Sequence, residues 1–117
     1  MDKLAINRDR LVRTFIDLAS LPSPSFSEEK VFDYISENLR QLGLSVTIQE
    51  YGHGKNLVAI LPGNDPAFPA IALSAHADTV GPCDDITIET DGDTIHTDGS
   101  SVLGGDDKTA IAEIGRA

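Results

Sequence analysis

In the stretch Leu73-Ser74-Ala75-His76-Ala77-Asp78-Thr79-Val80, a run of small and apolar residues ends in a histidine, and an aspartate follows two positions later. Residues 70–75 are apolar or small on both faces, which predicts a buried strand, central in its sheet. Side chains alternate along an extended backbone, so residues two apart point the same way. Carried through Asp78, that alternation puts His76 and Asp78 side by side at the end of the strand. A carboxylate beside an imidazole fixes the ring's tautomer and raises its basicity, the arrangement found behind metal-binding histidines. A strand that ends in a turn, with the pair merely hydrogen-bonded, explains the same triplet and stays open at this point.

At 117 residues, with 40% hydrophobic and 24% charged residues, the chain has the composition of one soluble globular domain. A formal net charge of −10 and a pI near 4.4 offer no basic patch for phosphates, which argues against nucleic-acid binding. The same acidity suits a site that concentrates divalent cations. Cys83 is the single cysteine, so no intrachain disulfide can form, and it reads as a small apolar filler. No apolar run approaches membrane-spanning length, and Met1-Asp2-Lys3 does not open a signal peptide, so no membrane partner and a cytoplasmic location are expected.

On either side of the central stretch the periodicity assigns the remaining elements. Leu11, Val12, Phe15, Ile16, Leu18 and Ala19 have helical spacing over residues 7–20, with Asn7 as N-cap. Leu21-Pro22-Ser23-Pro24-Ser25 breaks that helix. A second helix follows, with Ser25 or Ser27 as its cap, a stripe of Val31, Phe32, Ile35, Leu39 and Leu42, and Gly43 ending it. Leu44, Val46 and Ile48 then alternate with polar residues as a half-exposed strand. Gly52-His53-Gly54 is a turn, and residues 56–61 form a more uniformly apolar strand. Residues 84–98 predict a hairpin around Asp91-Gly92. A calcium loop there fails, because Ile95 takes the third ligand position and no glutamate stands at the twelfth.

Leu103-Gly104-Gly105-Asp106-Asp107-Lys108 precedes a helix-forming run and puts two carboxylates at its N-terminus. An N-cap explains one of them. A glycine-flanked pair followed by lysine leaves the second unexplained, and neither phosphate-loop pattern is present. Sites in open α/β sheets lie at the carboxyl ends of strands, where this pair could meet His76.

Taken together, Ser74-Ala75-His76-Ala77-Asp78-Thr79-Val80 and Leu103-Gly104-Gly105-Asp106-Asp107-Lys108 resemble the co-catalytic zinc exopeptidases. That family includes tripeptidase T, carboxypeptidase G and the acetylornithine and succinyl-diaminopimelate deacylases. The segment from Asp91 to Gly99 and the Leu21-Pro22-Ser23-Pro24-Ser25 opening are closest to the tripeptidase T branch. The resemblance implies the N-terminal part of a three-layer α/β catalytic domain, with a mixed sheet flanked by helices. It implies that His76 binds a metal ion, that Asp78 is the catalytic carboxylate orienting it, and that Asp106 bridges two metals. Asp107 follows across what is a cis peptide in such enzymes.

The implied cofactor is Zn2+, two per complete site, with Co2+ or Mn2+ as alternatives. The implied activity is an aminopeptidase acting on short peptides, a carboxypeptidase or N-deacylase being the alternatives. Family members are much longer: a glutamate pair supplying the general base, further ligands and an inserted smaller domain with dimer contacts lie beyond the motifs seen here. Residues 1–117 are therefore expected to be a truncated catalytic portion, inactive alone and possessing two ligands. Glu113 does not replace the missing base, and a homodimer is an expectation for the full-length form only.

Overall fold

The structure is a computed structural model and describes residues 5–115. Helices α1 (Arg8–Ala19), α2 (Glu29–Gln41) and α3 (Gly105–Ile114) accompany strands β1 (Ser45–Tyr51), β2 (Gly54–Ile60), β3 (Ile88–Asp91) and β4 (Thr94–Thr97). The class is α/β. Each helix contributes one residue to a small core of Leu18, Val31 and Ala112, ringed by Leu11, Phe15, Leu21, Tyr34, Ile35, Ala77 and Ile111. α1 packs against α3, and α2 against the β1–β2 hairpin.

The caps explain where the helices begin and end. Asn7 Oδ1 accepts from Arg10 N at 3.0 Å, as expected of an N-cap. Gly43, with φ +86°, follows the last turn of α2 in the left-handed conformation that glycine adopts without a Cβ clash. The start of α2 differs from expectation. Its N-cap is Glu28, with no side-chain capping bond. Ser25 lies three positions before that cap, and its hydroxyl donates to Asp78 instead.

Both hairpins close through two-residue turns, Gly52-His53 and Gly92-Asp93, with positive φ at the glycine. A glycine at the first turn position matches the right-handed twist of the flanking strands. In β1–β2 the register pairs Val46 with Ala59 and Ile48 with Leu57. Val46, Leu57 and Ala59 on that face are half-buried, whereas Ile48 is as exposed as Val58 on the other face. The β3–β4 register pairs Glu89 with His96 and Asp91 with Thr94.

Residues 70–75 do not form the expected central strand. A strand is held by hydrogen bonds to neighbours, and among the described residues β1–β2 and β3–β4 pair only internally. The segment instead runs unpaired, leaving Ile71 86% and Leu73 60% exposed. Among the described residues its backbone is fastened at its far end. There Thr79 N donates to Ser23 O at 2.8 Å within a parallel bridge between Pro24 and Thr79. Cys83 is buried and unbridged, in keeping with its reading as a small core residue.

Candidate functional site

The alternation along residues 76–78 has the consequence drawn from the sequence. Ala77 turns inward and packs on the helical core. His76 and Asp78 turn outward together and line one pocket with Thr79, Val80, Val102, Gly104, Gly105 and Asp106. The pocket holds about 220 Å³ and opens to solvent.

Three expected site residues meet there. His76 Nδ1 lies 3.1 Å from Asp78 Oδ1 and 3.0 Å from Asp78 O. On the opposite side of the ring, Nε2 lies 2.9 Å from Asp106 Oδ1. The imidazole thus bridges two carboxylates, and both nitrogens donate when the ring carries its second proton. The bond to Asp106 first, and the bonds to Asp78 after it, raise His76 above the ordinary 6.5, against a smaller opposing effect of burial. Asp78 is held below its ordinary 3.8, first by the Ser25 hydroxyl and then by His76.

Asp106 is brought in by an irregular start to α3. Gly104 has φ +80°, Asp106 and Asp107 have non-helical backbone angles, and the peptide between them is cis. Regular helix begins only after them, which leaves the Asp106 carboxylate 93% exposed on the pocket rim. Asp107 is half-buried and does not line the pocket. His53 lies in the β1–β2 turn. His96 lies on β4, with Nδ1 2.8 Å from Thr97 O and 3.6 Å from Glu89 Oε2. Neither lines the pocket.

Two contributors were not assigned to the site from the sequence. Ser25 Oγ donates to Asp78 Oδ2 at 2.5 Å, the carboxylate oxygen that His76 does not use. Lys108, only 1% exposed, donates through Nζ to Leu21 O at 2.6 Å. Burial pushes its ammonium below the ordinary 10.5. By sequence the Leu21-Pro22-Ser23-Pro24-Ser25 segment reads as a helix breaker with Ser25 as a possible cap. Nothing local in the sequence ties it to residues more than fifty positions away.

Comparison with known proteins bears on the fold and the family. No family model matches the chain. Peptidase T of Aeromonas hydrophila subsp. hydrophila is 36% identical over 131 aligned positions, covering 84% of this chain and 31% of that protein. Among solved structures, a tripeptidase from Staphylococcus aureus subsp. aureus Mu50 superposes with a TM-score of 0.86 at 30% identity. Aminopeptidase PepT from Bacillus cereus ATCC 10987 superposes at 0.87 with 29% identity. Each superposition covers 95% of this chain and 31% of the other.

The chain is peptidase T-like. It spans about a third of the length of the curated relatives it matches (31% of the first). YqjE of Bacillus subtilis strain 168, which bears no functional name, is 30% identical over 92% of this chain. Among the described residues, no three His, Cys, Asp or Glu side chains converge as metal ligands. No helix among them is long and apolar enough to cross a membrane.

Proposed function

We propose that this chain carries the opening part of the catalytic domain of a metal-dependent aminopeptidase that cleaves short peptides, in the manner of the tripeptidases it resembles. One observation carries the proposal. His76 is clamped at Nδ1 by Asp78 while its Nε2 meets Asp106 across an open pocket. A merely structural histidine has no need of an exposed second carboxylate at its outer nitrogen.

The donor set fits a divalent cation of borderline character. An imidazole nitrogen and a carboxylate oxygen suit zinc, with cobalt or manganese as substitutes. With its neutral-ring proton on Nδ1, toward Asp78, His76 would present its Nε2 lone pair to the pocket. Asp106, exposed on the pocket rim, would hold such an ion together with His76. Bound there, the ions would polarise a peptide carbonyl and make water a better nucleophile near neutral pH. His76 and Asp106 supply two ligands, fewer than the four of a closed zinc site, so tight binding needs residues from the rest of a longer chain. We assign the cytoplasm as location and a homodimer as the assembly of the full-length form, on the resemblance alone.

The test is substitution in a protein extended to the length of its relatives. His76→Ala and Asp106→Ala each abolish tripeptide hydrolysis and lower the bound metal, whereas His53→Ala and His96→Ala change neither. Loss of metal on His96→Ala alone overturns the assignment. Residues 1–117 by themselves bind zinc weakly in a calorimetric titration and do not turn over a tripeptide, and clear turnover by a pure sample contradicts the incomplete site.

A further inference from the structure

We infer that Ser25 is a positioning residue: its hydroxyl holds the Asp78 carboxylate in the orientation that leaves the outer nitrogen of His76 free for a cation. The inference rests on the metal reading above and adds a residue to it.

The His76 ring faces two carboxylates that compete for one proton whenever it is neutral. If the proton sits on Nε2, toward Asp106, the lone pair points at Asp78 and the ring cannot bind a cation in the pocket. If it sits on Nδ1, toward Asp78, the lone pair faces the pocket. The distances to the two carboxylates, 3.1 and 2.9 Å, do not separate these cases. The difference lies in how each carboxylate is held. Asp106 is 93% exposed, and water competes for its oxygens. Asp78 is more enclosed, at 38%, and Ser25 occupies its second oxygen. A carboxylate fixed at one oxygen cannot swing away from the ring at the other.

Ser25 is itself held in place. Pro24 bridges to Thr79, and Ser23 O accepts from Thr79 N, one residue beyond Asp78. Lys108 fixes the other end of the segment at Leu21 O from within the core, two positions after Asp106. The loop therefore reaches the site from both motifs. Ser25 is exposed, so removing its hydroxyl changes the contact without opening a cavity.

The experiment uses the metal-free protein with 15N-labelled histidine, at a pH where the rings are neutral. Ring nitrogen shifts report the tautomer. In the wild type His76 carries its proton mainly on Nδ1. In Ser25→Ala the Nε2-protonated form rises, and Ser25→Thr, which keeps the hydroxyl, restores the original ratio. Zinc affinity, titrated on the same samples, falls about tenfold in Ser25→Ala, the low end for residues that support a metal ligand. An unchanged tautomer ratio in Ser25→Ala overturns the inference, even if zinc still binds at His76. A tautomer shift without zinc binding in any variant upholds the role of Ser25 and refutes the metal reading instead.

Discussion

The segment leading into the site is more apolar than the helices that form the core, yet the two end in opposite states. Leu18 and Val31 are 1% and 0% exposed, whereas Ile71 and Leu73 stand in solvent. The difference follows from where the backbone finds its hydrogen bonds. A helix satisfies its own N–H and C=O groups and needs only side-chain contact to bury its stripe. A strand needs at least one neighbour to pair with, and residues 70–75 have none among the described residues. The site lies on the boundary between these two conditions, at the end of an unpaired segment but pinned by Ala77, Thr79 and Ser25.

The sharpest way to break that comparison is to truncate one residue on each side. Leu18→Ala should destabilise the chain by about 2–5 kcal/mol, the range for a buried leucine losing its packing. Ile71→Ala should stay within about 0.5 kcal/mol, as at an ordinary exposed position. Urea unfolding of the two variants measures both. If Ile71→Ala costs as much as Leu18→Ala, the segment is covered in solution.

The same contrast marks what could be read from the residues alone. Both amphipathic helices, the glycine turns and the shared face of His76 and Asp78 depend on periodicity within a few positions, and all are present. The strand at residues 70–75 was inferred from its apolar character, which specifies burial only if a partner strand exists. Ser25 shows the limit from the other direction. Its place before a helix suggests a cap, but the helix is capped three positions later, and the hydroxyl donates to a carboxylate fifty-three positions away. The burial of Lys108 is likewise non-local, since its acceptor lies eighty-seven positions back. The meeting of Asp106 with His76 had a signal only in the glycine-flanked motif and its resemblance.

A smaller effect separates two glycines with nearly equal backbone angles. Gly43 has φ +86° and open space where a Cβ would stand. Gly104 has φ +80°, but an added Cβ would lie 3.1 Å from Thr79 Cγ2 and 3.3 Å from Lys108 Cδ. Gly43→Ala should cost roughly 1–2 kcal/mol, the penalty for a Cβ in the left-handed region. Gly104→Ala should cost more, because Thr79 and Lys108 are both buried and yield poorly. Equal costs would mean that the floor of the site is loosely packed.

The smallest effect concerns the proton at the boundary itself. Asp106 contributes most to the raised pKa of His76, ahead of Asp78. In the metal-free chain an NMR titration of the ring should therefore find a midpoint above 6.5, lowered more by Asp106→Asn than by Asp78→Asn. The ring binds its proton more tightly folded than unfolded, so this interaction stabilises the chain fully below 6.5. The contribution then disappears as pH rises through the folded value. Its size is small because the His76 side chain is 51% exposed and the pair with Asp106 is screened by water. The proton on Nε2 occupies the position a cation would take, so zinc uptake at a pH near that midpoint should release it and weaken as the solution is acidified. An Asp106→Asn variant with an unmoved midpoint would place Asp106 away from the ring in solution. It would also remove the polar contact between His76 and the start of α3.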